Sequence, residues 1–271
     1  MNLTSPSQVK AWCIGSGFHP NRVLGQNFLV DRNVLEAIVD AGLDGVRAES
    51  PSVLEIGPGL GVMTEEMLRR GCRVTAVEKD QVLAGRLAEA LGGPPGLTVV
   101  AGDALAMLGR GALQTGGFDA MVSNLPYQAG TRILLDIVAK RAPRAITVLV
   151  QTEVAERLAA KEGSKARGLA GVWAQLDYDV RIVRRVSASC FWPRPQVGSS
   201  LVRLDRHERN ASLTEAERRL FRSLTKRAFS QRRKQLGRVL KDMVQSTARA
   251  EELTNEDWIA LTKGLIENED T

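Results

Sequence analysis

The sequence is poor in the side chains that form disulfides or bind metals. Its three cysteines, Cys13, Cys72 and Cys190, are far apart and form no Cys-x-x-Cys pair. This argues against a disulfide framework and against a zinc site built on cysteine. Two histidines, His19 and His207, are too few for a mechanism that needs a histidine cluster. We therefore predict no metal cofactor.

Long apolar runs are also missing. No run approaches the roughly 18 residues that a transmembrane helix needs, which excludes a membrane-spanning protein and predicts no membrane partner. Residues 1–10 lack the apolar core of a signal peptide, so we expect a cytoplasmic protein. Hydrophobic residues make up 44% of the 271 residues, enough for a folded core. At about 150 residues per domain, this length predicts one large or two modest domains.

Positive charge is in excess and unevenly distributed. The formal net charge is +6 and the sequence pI is about 9.5. Residues 222–241 contain eight basic side chains and no acidic one, whereas residues 242–271 contain eight acidic and two basic. Residues 1–30 contain Lys10 and Arg22 and no acid. Such cations favour a polyanionic partner, because each contact with a phosphate releases a counterion that was condensed on the polyanion. The alternative to a phosphate-binding surface is that residues 222–241 form a helix face exposed to solvent.

The middle of the chain alternates between apolar strands and amphipathic helices. Strands are predicted at residues 52–56, 73–78, 97–101, 118–123 and 145–151, and helices at 31–43, 62–70, 80–91 and 131–139. Asp31 and Asp80 are predicted helix caps. This alternation predicts an α/β fold with a parallel sheet covered by helices on both faces.

The pattern changes after about residue 205, where no strand signal remains. Helices are predicted at residues 214–229, 231–243 and 255–266, the first with Thr214 and Glu217 as a capping box. We therefore expect an N-terminal arm at 1–30, a catalytic domain at 31–207 and an all-helical domain at 208–271, basic then acidic.

A glycine-rich turn follows the first predicted strand. Residues 55–61 have the sequence EIGPGLG and precede a predicted helix. Glycines let the backbone approach a ligand that a Cβ atom would exclude, and the ligand would lie by the helix N-terminus. We predict Glu55, Gly57, Gly59 and Gly61 as ligand-binding residues, with a plain tight turn as the alternative.

Acidic residues follow the next two strands. Glu78 ends the second strand and Asp103 follows the third. In dinucleotide-binding folds, an acid at the position of Glu78 accepts hydrogen bonds from ribose hydroxyls. Asp103 can accept a hydrogen bond from an adenine amino group. A helix cap or a solvated loop is the alternative for each acid taken singly.

The fourth strand ends in Asn124-Leu125-Pro126-Tyr127. This tetrapeptide suits methylation of a planar exocyclic amine, which is a poor nucleophile because its lone pair is delocalised into the ring. The Asn124 amide oxygen and the Leu125 carbonyl can accept the amine N–H groups and aim the lone pair at a methyl donor. Pro126 stiffens the turn, and Tyr127 offers a face for base stacking. An ordinary turn is the alternative.

Together these motifs resemble those of the small-subunit rRNA adenine N6,N6-dimethyltransferases, the KsgA family. The resemblance extends from about residue 23 to residue 240. Further motifs that carry it are LGQNFLVD at 24–31, QTEVAERL at 151–158, FWPRPQVGS at 191–199 and FSQRRK at 229–234. The resemblance implies a Rossmann-like class I methyltransferase sheet with a smaller all-helical C-terminal domain.

The resemblance also implies site roles, with S-adenosylmethionine as methyl donor and no metal. The residues that it places at the donor are Asn27, Leu29, Glu55, Gly57, Gly59, Gly61, Glu78, Asp103 and Asn124. Those that it places at the target adenine are Asn124, Leu125, Pro126, Tyr127 and Phe191, with Phe191 and Tyr127 sandwiching the base. Those that it places on RNA are Arg232, Arg233 and Lys234.

Four positions depart from the usual family pattern. Arg167 stands where Tyr is frequent, Ser187 where Pro is frequent, Gln196 where Lys is common, and Gly198 where Asp is common. These departures concern loops around the target base and not the methyl-transfer core.

The leading hypothesis is dimethylation of two adjacent adenines near the 3′ end of small-subunit rRNA during ribosome biogenesis. The partner would be small-subunit rRNA or the immature small subunit, and we expect a monomer. One alternative is a large-subunit rRNA adenine methyltransferase of the macrolide-resistance type, which has a similar Gln-Asn-Phe motif. The other is a non-catalytic RNA-binding assembly factor. Residues 191–199 and 232–234 favour the small-subunit enzyme, and the intact donor motifs argue against lost catalysis.

Overall fold

The computed structural model describes residues 1–21 and 23–269, and within them seven strands form one mixed sheet. These strands are β2 (Ser52–Ile56), β3 (Arg73–Glu78), β4 (Leu97–Ala101), β5 (Ala120–Asn124), β6 (Ala145–Gln151), β7 (Tyr178–Val186) and β9 (Ser199–Arg206). Their order is β4-β3-β2-β5-β6-β9-β7. The first five are parallel to their neighbours, and β9 runs antiparallel to β6. Two short strands, β1 (Phe28–Leu29) and β8 (Phe191–Trp192), form a separate antiparallel pair.

Helices connect these strands. Their bounds are α1 (Pro6–Gly15), α2 (Arg32–Leu43), α3 (Val62–Arg69), α4 (Gln81–Ala90), α5 (Ala104–Gly109), α6 (Gly130–Ala139), α7 (Thr152–Leu158), α8 (Leu169–Gln175), α9 (Glu215–Ser230), α10 (Leu236–Val239) and α11 (Asn255–Glu269). The α/β fold class is confirmed, because parallel strands alternate with helices from β2 to β6. Among the described residues, no helix has the length and apolarity to cross a membrane.

The predicted caps of two helices are confirmed. The Asp31 carboxylate accepts a hydrogen bond from Val34 N at 2.9 Å, and Asp80 accepts one from Val82 N at 2.9 Å. Such bonds satisfy backbone donors that a helix leaves unpaired at its start. The short polar side chain before each apolar stretch therefore sets where α2 and α4 begin.

The chain divides into two units, one comprising Met1–Ala155 and Arg181–Arg206, the other Glu156–Val180 and the residues from His207 onward. The predicted boundary at residue 208 stays a prediction. Residues 156–180, however, group with the C-terminal helices, although the last three of them begin β7. The physical reason is burial, since Val172 and Leu176 belong to the same hydrophobic cluster as Phe221.

The first unit has a core beneath the sheet and a smaller cluster near the N-terminus. The first thirty residues, expected as an arm, contain the helix α1. Val9 and Cys13 of this helix are buried in a cluster with Phe18 and Phe28. The arm is therefore partly helical and contributes its own apolar packing.

The second unit is built around the buried side chains of Phe221 and Trp258. The capping box predicted for its first long helix is confirmed. Thr214 Oγ1 accepts a hydrogen bond from Glu217 N, and the Glu217 carboxylate accepts one from Thr214 N at 2.6 Å. This reciprocal pair sets the start of α9.

The prediction of a helix at residues 231–243 is wrong. After α9 the chain forms a turn at residues 231–234, then the four-residue helix α10 and a 3₁₀ turn at Lys241–Met243. Leu236 N and Gly237 N donate to the carbonyls of Ala248 and Ser246 instead of continuing α9. A Cβ atom at Gly237 would lie 3.0 Å from Ser246 O, so a larger residue would push the two backbones apart by a few tenths of an ångström. Tertiary hydrogen bonds thus replace the helix that local periodicity predicts.

Candidate active site

A cavity lies at the carboxyl ends of the parallel strands β2 to β5. The space within it amounts to about 1200 Å³, counting the part open to solvent. The predicted site residues that line it are Asn27, Leu29, Gly57, Gly59, Glu78, Asp103, Asn124, Leu125, Pro126 and Tyr127. Glu55, Gly61 and Phe191 are not among its lining residues. The described part of the chain contains no group of three or more His, Cys, Asp or Glu side chains suited to a metal ion.

The glycines of the loop between β2 and α3 have different surroundings. Gly57 has φ +70°, and a Cβ atom there would meet nothing closer than Asn124 O at 3.8 Å, so its backbone faces open cavity. Gly61 has φ +87°, and a Cβ atom there would lie 2.6 Å from Leu87 Cδ1. Gly61 is therefore required for close packing of α3 against α4, and its prediction as a ligand-binding residue is not supported by its position.

Glu78 closes one side of the cavity at the end of β3. Its Oε2 accepts a hydrogen bond from Gly59 N at 3.0 Å, and its Oε1 accepts one from Asp80 N at 2.8 Å. Burial raises the pKa of the Glu78 carboxyl, against the lowering effect of these backbone donors. Since a carboxylate has about four acceptor positions, Glu78 can still accept hydrogen bonds from a ligand.

Asp103 fits both interpretations of its position, because it caps a helix and also lines the cavity. Its Oδ1 caps α5 by accepting from Leu105 N at 2.9 Å, and its Oδ2 lies 2.9 Å from Lys79 Nζ. The hydrogen bond from Lys79 lowers the pKa of Asp103, so the residue is a carboxylate at neutral pH. It lines the cavity while serving as a helix cap.

Glu55 lies beneath the cavity and not in its wall. Its side chain is fully buried, with Oε2 accepting a hydrogen bond from Thr64 Oγ1 at 2.6 Å and Oε1 without a hydrogen-bond partner among the described residues. Burial raises the pKa of Glu55 to about 8. The alternation of side chains along β2 turns Glu55 into the core. Its predicted contact with the donor is therefore not supported by its position.

The turn at residues 124–127, hereafter the target turn, is tied to its neighbours at every residue. Asn124 Nδ2 donates to Asn27 O at 3.0 Å, and Leu125 N donates to Leu149 O at 3.2 Å. Pro126 O accepts from Gly130 N at 2.7 Å, which starts α6. Because the Asn124 amide nitrogen donates to Asn27 O, Oδ1 is left as an acceptor, with no hydrogen bond to it from residues 1–21 and 23–269.

The two aromatic residues predicted to sandwich the base differ in position. Tyr127 is half-buried in the cavity wall, and its hydroxyl lies 2.7 Å from Ser199 Oγ. Burial raises the pKa of Tyr127, so its phenol is neutral. Phe191 is only 3% exposed and packs in the hydrophobic core beside Leu29, its partner across the β1–β8 pair. The structure does not bring the two rings together on one cavity, and the sandwich stays a prediction.

The predicted RNA-binding residues lie in the turn at residues 231–234, hereafter the basic turn. Arg232 is half-buried: its Nη2 donates to Lys165 O at 2.6 Å, and its Nε lies 3.7 Å from Glu251 Oε2. Arg233 and Lys234 are exposed. The three residues therefore share a turn but not an environment, and Arg232 links this turn to Lys165 and Glu251 within the second unit.

Three residues in or beside the cavity were not predicted as site residues. Lys79 pairs with Asp103, Ser199 holds the Tyr127 hydroxyl, and Gln26 joins the N-terminal segment to Asp80 through a 2.8 Å hydrogen bond. Lys79 and Gln26 directly adjoin predicted residues in sequence, which is the signal that could have found them. Ser199 lies 72 positions from Tyr127, and only strand pairing shows their contact.

Comparison with known proteins identifies the family. The family described as ribosomal RNA adenine dimethylase matches residues 17–263. The chain is 44% identical over 203 residues to the ribosomal RNA small subunit methyltransferase A of Deinococcus radiodurans, covering 75% of this chain and 67% of that protein. It is 36% identical over 267 residues to the protein of the same name from Sphingopyxis alaskensis, covering 92% of this chain and 95% of that protein.

Solved structures share the fold. A dimethyladenosine transferase from Plasmodium falciparum has a TM-score of 0.75 at 22% identity, covering 89% of this chain and 98% of that one. The 23S rRNA methyltransferase ErmE has a TM-score of 0.66 at 25% identity, covering 89% of this chain and 100% of that one. With the sequence match across most of the chain, these findings establish that this protein belongs to the ribosomal RNA adenine dimethylase family.

Proposed function

We propose that this protein transfers methyl groups from S-adenosylmethionine to N6 of two adjacent adenines near the 3′ end of small-subunit rRNA. The observation that carries the proposal is the target turn, held rigidly in the wall of the cavity with Asn124 Oδ1 presented as an acceptor. The relatives described above are named as small-subunit rRNA methyltransferases, which supports this choice of substrate.

The cavity has the groups that S-adenosylmethionine requires. Its open backbone at Gly57 can admit the methionine part, Glu78 can accept the ribose hydroxyls, and Asp103 can accept the adenine amino group. Leu29 and Met63 supply apolar surface in the same wall. When bound there, S-adenosylmethionine supplies an electrophilic methyl group on a sulfonium sulfur.

The target turn prepares the acceptor nitrogen. Asn124 Oδ1 and the Leu125 carbonyl accept N–H bonds from the target amine, so its lone pair is directed out of the ring plane and toward the donor. Both groups are fixed before the substrate arrives, which reduces the entropy lost on reaching the reactive geometry. Tyr127, oriented by Ser199, supplies one stacking face. The methylated nitrogen loses its proton readily, so no strong general base is needed.

The alternatives have less support. The similarity to ErmE is mainly one of fold, at 25% identity, whereas the small-subunit relatives reach 44%. A non-catalytic assembly factor has no need for Glu78, Asp103 and Asn124 to line one cavity, as they do here. We further propose that the protein acts as a monomer, because one cavity of a single chain combines Glu78 and Asp103 with the target turn. Its substrate would be an assembling small subunit, which places the activity in the cytoplasm.

The experiment that tests this function uses purified protein, labelled S-adenosylmethionine and small subunits isolated without methylation. Large subunits incubated in parallel are the control for substrate choice. We expect label on two adjacent adenines of small-subunit rRNA, located by mapping the modified bases. Label confined to the large subunit would establish the macrolide-resistance type instead, and donor binding without transfer to either subunit would refute the proposal.

A further inference from the structure

The outer edge of the sheet carries three exposed arginines. β7 is the last strand in the sheet order, with β9 as its neighbour. Arg181, Arg184 and Arg185 of this strand are all exposed. Charged side chains on edge strands can simply prevent pairing with other sheets. Their position relative to the target turn indicates more than this.

The end of β7 lies at the edge of the sheet that contains the active site. A Cβ atom at Gly198 would lie 3.6 Å from both Val186 O and Thr152 Oγ1, so β7 ends beside the start of β9 and the end of β6. The next residue, Ser199, forms the hydrogen bond to Tyr127. Since a strand rises about 3.3 Å per residue, Arg184 is only about 7 Å along the strand from Val186.

The strand turns two consecutive arginines outward near this end. Val183 and Val186 both pack on the same hydrophobic cluster although they are three positions apart. Regular alternation would place them on opposite faces of the sheet. Arg184 and Arg185, between them, are both exposed. This irregularity therefore exposes both Arg184 and Arg185, whereas a regularly alternating strand would bury one of them.

A further arginine approaches the same site from the loop between β8 and β9. Arg194 is exposed and stands between Pro193 and Pro195, whose rings fix the backbone φ angle. The loop ends at Ser199, beside Tyr127. Arg194 is thus held on a stiff loop whose end is fixed at the target site.

Arg184 and Arg194 differ from their neighbours in having no compensating acid. Arg181 lies 3.9 Å from Asp205, and Arg203 lies 2.7 Å from the same carboxylate. For Arg184 and Arg194, no carboxylate partner occurs among residues 1–21 and 23–269 of the structure. The two guanidinium groups without an acidic partner therefore stand on segments that end beside Ser199, whose hydroxyl contacts Tyr127.

We propose that Arg184 and Arg194, hereafter the arginine pair, bind phosphates of the RNA strand that carries the target adenines. This inference rests on the proposed function, because it assigns a task to the backbone next to the modified base. An adenine that enters the cavity must leave its stack while its own backbone stays at the rim. Guanidinium groups suit this position, because phosphate contacts fix register and do not depend on the base sequence.

The test compares two double variants with the same loss of charge. R184Q/R194Q removes the arginine pair, and R47Q/R73Q removes two exposed arginines at or before the amino ends of β2 and β3, the opposite edge of the sheet. Affinity for unmethylated small subunits is measured over a series of salt concentrations. For R184Q/R194Q we expect the log–log salt slope to become shallower by about 1.4, from roughly 0.7 per single-strand phosphate contact. We also expect KM for the subunit to rise with kcat nearly unchanged, and the affinity for S-adenosylmethionine to stay the same.

Two results would overturn the proposal: an unchanged slope in R184Q/R194Q, or an equal change in R47Q/R73Q, which would indicate a general effect of net charge. Weakened binding to whole subunits with normal binding to the isolated rRNA would indicate an acidic protein partner and would also contradict it. These outcomes are separate from the proposed function. Methylation by the wild type tests the function, whereas the salt slope tests the arginine pair even if the wild type transfers no methyl group.

Discussion

The target turn and the basic turn are both short connections next to a helix, and both are predicted to contact RNA, yet they are built differently. In the target turn, Asn124, Leu125 and Tyr127 each have a hydrogen-bond partner distant in the chain, and Pro126 O accepts from nearby Gly130 N. The basic turn is closed by one local hydrogen bond, from Lys234 N to Gln231 O at 2.8 Å, and it leaves two of its three cations exposed.

The difference corresponds to what each contact requires. Methyl transfer depends on the position of one nitrogen to within a fraction of an ångström, so its acceptors must be rigid before the substrate binds. A phosphate row offers many equivalent oxygens, and a long flexible cation can reach one of them from several conformations. We therefore expect single substitutions to have large effects at the cavity and small, shared effects at the basic turn.

The largest effect is expected at Asn124. Asn124→Ala removes an acceptor for the target amine, and we expect turnover on small subunits to fall by about 10²-fold or more. Affinity for S-adenosylmethionine, measured by calorimetry, should stay nearly unchanged. Asn33→Ala, at an exposed position of α2, is the matched control and should keep full activity. Wild-type turnover by the Asn124 variant would show that the target turn is only structural.

Glu78 should give the next largest effect. Glu78→Ala removes a charged acceptor from the cavity, and we expect the affinity for S-adenosylmethionine to weaken by about 1–3 kcal/mol. Glu78→Gln keeps one acceptor oxygen and should lose less. Glu89→Ala, exposed on α4, removes the same charge outside the cavity and serves as control. If calorimetry gives equal affinities for all four proteins, Glu78 does not contact the donor.

Glu55 should affect stability as a function of pH. The folded protein holds the Glu55 proton up to about pH 8, whereas the unfolded carboxyl releases it near its ordinary value of 4.5. Unfolding therefore releases a proton between these values, and the folded state loses stability as pH rises from about 4.5 to about 8. Glu55→Gln, neutral throughout, should show a smaller fall in melting temperature across this range. Parallel curves for the two proteins would contradict a protonated Glu55.

The smallest effects are expected in the basic turn. An Arg233→Ala, Lys234→Ala double variant should reduce the log–log salt slope of RNA binding by somewhat under one unit per lost phosphate contact. Arg232→Ala should change the slope less and lower the melting temperature, because Arg232 contacts Lys165 O and Glu251. S-adenosylmethionine affinity should be unchanged in both. Loss of all activity on removing one exposed cation would refute the distinction between the two turns.

Local sequence signals predicted the elements that depend on neighbouring residues. The caps Asp31 and Asp80 and the capping box of Thr214 and Glu217 appear as expected, since each involves residues within a single turn. The strands β7 and β9 were not predicted, because β7 has no regular alternation and β9 buries the charged Arg203. This arginine is accommodated by carbonyls at the end of α2, including Gly42 O at 3.1 Å. Only the folded sheet supplies such partners.

The sequence by itself determined which chemical groups stand at the ends of the strands, because strand, glycine turn and cap follow from short-range spacing. It therefore indicated Gly57, Glu78, Asp103 and the target turn as one site. Tertiary structure decided which side chains reach the cavity, because their direction depends on pleat and on the elements packed against each face. The Glu55 side chain points into the core, and Gly61 allows α4 to pack closely against the start of α3. Phe191 pairs with Leu29 across β1 and β8 and packs in the core, and Arg232 contacts Lys165 O and Glu251. These partners are distant in the chain and meet only in the fold.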